Sequence, residues 1–171
     1  HQGQACIGSS RVYVHDKIYD QFVKMYVAIA GKLGMGDLRD PDTIIGPIIS
    51  ERQRERIKRH IEDARNKGAT VATGGNWDGN RCAPTVLLDV TADMDVFREE
   101  TFGPVVSVYR FSDFDEVVAE ANNTNYGLSS AIYTANIHLA MRFAKRIEAG
   151  MVHINSPSIT DEAHVPFGGV G

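Results

Sequence analysis

Two cysteines occur in the 171 residues, and one of them stands where a nucleophile would be presented. In the opening stretch HQGQACIGSSRVYV, Cys6 follows a Gly-Gln-Ala turn and precedes a run of strand character. A thiolate held there could bond to an electrophilic carbon, because sulfur is intrinsically nucleophilic and free thiols need only modest activation near neutral pH. The competing reading is a small buried residue, since free cysteine is among the most buried residue types. Two further loops have unusual content: REETFGPV at 98–105, with adjacent carboxylates Glu99 and Glu100, and NSPSITDEAHVPFGGVG at 155–171. His164 in the second could serve Cys6 as the base of a thiol hydrolase, though no spacing places the two together. Cys82, before a strand in NRCAPTVL, has a structural reading. So do His153, alternating along MVHIN, and His60, among charges on a helix. No His spacing suggests a metal, and none is expected.

These residues need elements to hold them. From Asp16 to Gly34 the apolar residues Ile18, Phe22, Tyr26, Ile29 and Leu33 recur at helical spacing, with Gly34 as the stop. Ser50 followed by Gln53 has the capping-box pattern and opens a second helix with Ile57, Ile61 and Ala64 on one face, ended by Gly68. A third helix starts from Ser112 and carries Phe114, Val117, Val118 and Ala121. A fourth starts from Asn136, carries Ala140, Phe143, Ala144 and Ile147, and closes at Gly150. The segments ATVAT, PTVLLDV, PVVSVYRF, SSAIYT and GMVHIN are short, β-branched and bounded by turn formers, as strands are. Helices alternating with such strands predict an α/β layered domain, a largely parallel sheet flanked by helices. In that class ligands gather beyond the carboxyl ends of strands, which puts the weight on the three unusual loops.

The totals exclude several partners. A formal net charge of -4 argues against a surface built to neutralise phosphates, so neither nucleic acid nor an anionic membrane is expected. The basic run ERQRERIKRH is interleaved with Glu51 and Glu55, and Glu55 precedes Arg59 by four residues, which is the pattern of a solvated, ion-paired helix face. The cysteines lack the spacing of a disulfide scaffold, and the apolar runs are short for a bilayer, so a reduced, cytoplasmic setting is expected. The chain begins with histidine and enters structured sequence at once, as a piece of a longer protein would.

Taken together, GQxC, then EExFGP about ninety residues on, then Asn followed by PFGG, resemble the aldehyde dehydrogenase superfamily. GPIIS, PTVL and NYGLSS stand where that family has them, so the resemblance covers essentially all of residues 1–171. It implies the partial catalytic domain of an NAD- or NADP-dependent aldehyde dehydrogenase, with the dinucleotide-binding domain outside this chain. Cys6 matches the nucleophile, which forms a thiohemiacetal and then a thioester, and its backbone N–H matches one oxyanion donor. The family's second oxyanion donor, an asparagine, and its water-activating glutamate lie upstream of the cysteine and are not in this sequence. Glu100 matches the carboxylate that accepts from the nicotinamide ribose hydroxyls, and Phe102 the aromatic near the nicotinamide end. Phe167 matches a wall of the substrate tunnel, and Ile7 lines it beside the nucleophile. Gly103 and Pro104 are assigned to turn geometry only.

Within the superfamily, HQGQACI and INSPSITDEAHVPFGGVG look most like benzaldehyde, salicylaldehyde and vanillin dehydrogenases, which implies an aromatic aldehyde as substrate. The resemblance also implies a homo-oligomer built partly by strand addition at a sheet edge. Three alternatives stay open on the sequence: a Cys-His hydrolase, a truncated remnant without activity, and a family member that passes its acyl group to coenzyme A.

Overall fold

The structure is a computed structural model, and it describes residues 2–160 and 163–170. The chain divides into two compact units. The first comprises the chain up to Ala5 and Ser10–Phe111; the second comprises Cys6–Ser9 and the chain from Ser112 onward.

In the first unit, the strands β1 (Arg11–His15), β2 (Thr70–Thr73), β5 (Thr85–Leu88) and β6 (Val105–Phe111) form one sheet in the order β1-β6-β5-β2. β6 runs parallel to both β1 and β5, and β2 closes the sheet antiparallel to β5. Alternation along the strands feeds two cores. Val86 and Val108 face helix α1 (Asp16–Ala30), whereas Leu87 and Tyr109 face helix α2 (Glu51–Asn66). The α2 side is completed by the short helix α3 (Asp95–Arg98) and by a hairpin of β3 (Trp77–Asp78) and β4 (Arg81–Cys82), none of which the sequence patterns announced.

Helix α1 keeps only Phe22 and Tyr26 of its expected face against the sheet. Ile18, Ile29 and Leu33 are exposed, and the residues that meet the sheet are Tyr19, Phe22, Val23, Tyr26, Val27 and Ala30. Those six also follow helical spacing, so the segment holds two overlapping apolar stripes, and the one with the aromatic residues packs. The helix ends at Ala30 with Gly31 as its cap, short of Gly34. Helix α2 keeps its expected face, with Ile57, Ile61 and Ala64 buried. Ser50 Oγ accepts from the Gln53 amide at 3.3 Å. The Gln53 side chain, however, does not return to Ser50; it leaves the helix for another loop.

The second unit holds helix α4 (Phe114–Asn122), strand β7 (Ser129–Ile132), helix α5 (Ile137–Arg146) and strand β8 (Met151–Ile154), with β7 and β8 parallel. Asp113, not Ser112, caps α4, its carboxylate accepting from the amides of Asp115 and Glu116. Asn136 caps α5 as expected, but Ile147 is already extended, so that helix stops before Gly150. Asp115 ties the two helices by pairing with Arg142, at 2.8 Å, and with Arg146.

One contact in the first unit fixes the chain just before Cys6. Gly3 has φ +73, and a Cβ there would lie 2.0 Å from the Gly103 carbonyl oxygen. Only glycine allows both that conformation and that approach. Replacing Gly3 with alanine is therefore expected to lower the unfolding free energy by about 1–3 kcal/mol, read as a shift of the urea midpoint.

Candidate active site

The segment Cys6–Ser9 belongs to the second unit. Cys6 is a free, exposed thiol, which removes the buried-residue reading. Behind it lies Ser158, a buried residue that sequence reasoning did not single out. Its hydroxyl donates to the Ile7 carbonyl at 2.9 Å, which leaves its lone pairs to accept from Ser9 Oγ at 2.8 Å. Ser129 Oγ in turn donates to the Ser158 carbonyl at 2.9 Å. The loop bearing Ser158 is anchored at its start by Asn155, whose side chain accepts from the Thr134 amide (2.9 Å) and donates to the Thr134 carbonyl (3.1 Å). Short polar side chains in NSPS are the sequence signal for such local bonding, but their long-range partner 151 positions away is invisible in a linear pattern.

The PFGG segment is held in the same unit by backbone alone. The amides of Gly150 and Val170 both donate to the Gly127 carbonyl, at 2.8 and 3.1 Å. A Cβ at Gly150 would lie 2.0 Å from the Gly168 oxygen. Phe167 is 54% exposed, so it is not a core residue. His164 is exposed too, and no hydrogen bond joins it to Cys6 among the described residues.

The GQ residues and the REETFGPV loop belong to the first unit. Gln2 donates to the Pro47 carbonyl at 2.9 Å and accepts from the Gly46 amide, and Gln4 accepts from the Ile49 amide at 2.9 Å. Those bonds account for GPIIS, which is the cradle of the GQ residues preceding Cys6. In REETFGPV the two carboxylates have opposite fates. Glu99 Oε2 meets Arg56 and Arg59, each at 3.1 Å, and His60 Nε2 at 3.4 Å. The Arg56 bond is the main reason its carboxyl is held below the usual carboxylate range. Glu100 is half-buried and has no hydrogen bond or ion pair among the described residues. Burial pushes its carboxyl up, with Arg56 opposing.

Thr101 is buried, and its Oγ1 lies 3.0 Å from His60 Nδ1. Phe102 has φ +52, a left-handed conformation uncommon for an aromatic residue. The Gln53 side chain supports it, donating to the carbonyls of Thr101 and, at 2.9 Å, Phe102. The turn assignment of Gly103 is thereby corrected. Phe102 takes the left-handed conformation, and Gly103 is small because a Cβ there would lie 2.4 Å from Ile57 Cδ1.

His60 is also corrected. It is fully buried rather than solvated on a charged face, and burial holds its ring below the ordinary histidine range. His153 Nε2 is buried without a hydrogen-bond partner among the described residues, so this sheet histidine is not satisfied. Cys82 is buried in β4, and burial pushes its thiol up to about 11, consistent with a structural role. Among the described residues no group of three or more His, Cys, Asp or Glu could hold a metal, and no helix is long and apolar enough to cross a membrane.

A family model described as "Aldehyde dehydrogenase family" matches residues 1–171, and the chain belongs to that family. It is 47% identical over 169 residues to a benzaldehyde dehydrogenase of Bacillus subtilis, covering 99% of this chain and 35% of that relative. A succinate-semialdehyde dehydrogenase [NADP(+)] of Deinococcus radiodurans is 44% identical, with 98% of this chain and 36% of the relative covered. Among solved structures, aldehyde dehydrogenase 21 from Physcomitrella patens in complex with the reaction product succinate aligns with a TM-score of 0.96 at 40% identity, over 99% of this chain and 35% of that one. The chain thus spans about a third of the length of the relatives it matches.

Two outcomes follow for this geometry. Ser158→Ala strands the Ile7 carbonyl, and amide exchange across residues 6–9 is expected to speed two- to tenfold by hydrogen-exchange mass spectrometry, the equivalent of about 0.5–1.5 kcal/mol. His60 is neutral when folded and has a lowered pKa, so its contribution is complete above the unfolded value of about 6.5 and is lost as pH falls toward the folded value. The melting temperature of wild type minus that of His60→Asn is therefore expected to shrink between pH 7 and pH 5; carboxylates such as Glu99, lowered in the fold, act only below about pH 4.5.

Proposed function

We propose that this chain carries the nucleophile and one side of the cofactor site of an NAD(P)-dependent aldehyde dehydrogenase, oxidising an aldehyde to a carboxylic acid. The observation that carries the reading is the exposed Cys6 thiol, at the family's nucleophile position in a chain matched from end to end by the family model. The Cys6 thiolate attacks the carbonyl carbon, forming the C–S bond as the oxygen becomes an alkoxide. The Cys6 backbone N–H donates to that oxyanion. Bound NAD(P)+ supplies the hydride acceptor. Loss of hydride from the carbon leaves a thioester on Cys6, and water then breaks the C–S bond, releasing the acid and the thiol.

Glu100 fits the cofactor in this reading. A half-buried carboxylate with no partner of its own can accept from both hydroxyls of a ribose, and its neighbour Glu99, already engaged by two arginines, cannot. Phe102 packs against the nicotinamide end of the cofactor. Ile7 and Phe167 line the substrate side, and an exposed Phe167 suits a ligand wall better than a core.

The aldehyde proposed is aromatic. Support comes from the benzaldehyde dehydrogenase relative and from a vanillin dehydrogenase of Corynebacterium glutamicum that is 40% identical. Residues 155–170 also contain no Lys or Arg that could neutralise the second carboxylate of a semialdehyde acid. The proposed setting is cytoplasmic, with a homo-oligomer as the working form and no nucleic acid or membrane partner.

In the full-length protein, Cys6→Ala is expected to lower kcat for benzaldehyde by roughly a thousandfold or more while NADH still binds by fluorescence titration. The 171-residue chain alone, which lacks the family's general base and most of the cofactor fold, is expected to give no turnover. Steady oxidation of benzaldehyde by that isolated chain, or retained activity in Cys6→Ala, would overturn the reading. A higher kcat/KM for succinate semialdehyde than for benzaldehyde would overturn the aromatic preference alone.

A further inference from the structure

We propose that His60 is a positioning residue for the cofactor: it ties the 99–102 loop to helix α2 so that the Glu100 carboxylate is presented outward. The proposal rests on the reading of Glu100 and Phe102 as cofactor contacts. His60 has no exposed surface, yet it lies on a strongly basic helix, so its place in the core needs a polar explanation. Both ring nitrogens supply one. Nε2 lies 3.4 Å from the Glu99 carboxylate and Nδ1 lies 3.0 Å from the Thr101 hydroxyl.

Nε2 faces the Glu99 carboxylate, which can only accept, and Arg59 Nη2, also at 3.4 Å, which can only donate; the Thr101 hydroxyl, which can do either, meets Nδ1 in both tautomers. The ring sits among Arg56, Arg59 and Asp63 of its own helix and Glu99 of the loop. Two cations of α2 hold Glu99, and Gln53 of the same helix holds the Thr101 and Phe102 carbonyls.

The consequence falls on the residue between. The backbone at Glu99 is extended (φ -117, ψ 147), and successive side chains of an extended chain point to opposite sides. Glu99 and Thr101 are both bound to α2; Glu100, between them, has no hydrogen bond or ion pair among the described residues, and only the charge of Arg56 reaches it from that helix. Among the described residues, only His60 joins the Glu99 and Thr101 side chains to each other through one rigid ring, and so sets the spacing on either side of Glu100.

The test uses the full-length enzyme and four variants. His60→Phe keeps bulk without bonding, His60→Asn places an acceptor near the Nδ1 position, and Thr101→Val removes the hydroxyl at constant shape. Glu100→Gln reports on the cofactor reading itself. Expected for both His60→Phe and Thr101→Val is a rise of about tenfold in KM for NAD(P)+ and in the NADH dissociation constant. The aldehyde KM and the rate of Cys6 alkylation by iodoacetamide should stay at wild-type values. His60→Asn, which keeps the Thr101 contact and loses the one to Glu99, should restore part of the loss, and the double variant should be no worse than either single one. A lowered melting temperature with unchanged cofactor KM in His60→Phe or Thr101→Val would overturn the inference, as would failure of His60→Asn to restore binding. If His60→Phe does not fold, Thr101→Val and His60→Asn decide the matter. If Glu100→Gln leaves cofactor affinity unchanged, the reading of the loop fails; if only Glu100→Gln weakens it, His60 alone is excluded.

Discussion

Backbone laid directly on backbone is the constraint from which the loops of both units take their shape. In the first unit Gly3 rests on the carbonyl of Gly103, and Gly103 in turn leaves room for the tip of Ile57. In the second, Gly150 rests on Gly168, while Gly127 accepts from the amides of Gly150 and Val170. A side chain at Gly3, Gly103, Gly127 or Gly150 would separate parts of the chain that now touch, and the displacement would pass to the neighbouring residues, because close-packed interiors transmit strain. This gives Gly3 of GQAC and Gly103 of FGP one physical role: each lets its loop sit against its support without an intervening side chain.

Helix α2 shows how one element serves core and site together. Ile57, Ile61 and Ala64 face the sheet and are buried, at spacings of four and three that keep them on one stripe. Gln53, Arg56 and His60 follow the same spacing on the adjoining stripe and reach the 99–102 loop. The burial of the first stripe supplies the free energy that locates the helix, and the second stripe then costs little further ordering to engage. Solvent-exposed ion pairs contribute about a kilocalorie per mole or less, so Arg56 and Arg59 matter here for the direction they impose on Glu99 more than for stability.

The sequence made the strands legible because their short β-branched runs are bounded by turn formers: β5, β6, β7 and β8 each lie within their expected segments. The sheet is less uniformly parallel than expected, since β2 is antiparallel and the β3–β4 hairpin stands apart. Two-residue strands carry too little periodicity to announce themselves. Helix α1 was legible in part: Phe22 and Tyr26 pack as expected, whereas Ile18 and Ile29 do not, since periodicity cannot choose between two overlapping apolar stripes. His60 failed for a different reason. Its neighbours in the chain are charged, but the partner that buries it, Thr101, lies 41 positions away. Ser158 was hidden in the same way, through a bond to Ile7. Linear motifs singled out candidate ligand contacts and passed over the residues that hold those loops, since the latter bond across long separations.

The two thiols make the same distinction between a residue's type and its surroundings. Cys82 sits in β4 with no exposed surface, and the absence of water around it disfavours the thiolate enough to bring its pKa to about 11. At neutral pH roughly one such thiol in ten thousand is ionised, so it packs as a small apolar group. Cys6 is excluded from that outcome by local construction. Ser158 donates to the Ile7 carbonyl and accepts from Ser9, and the Cys6 sulfur beside them is exposed. Burial disarms one cysteine, and the other lies exposed, so the chemistry of this chain is decided less by its sulfur atoms than by which loops the fold can afford to leave open.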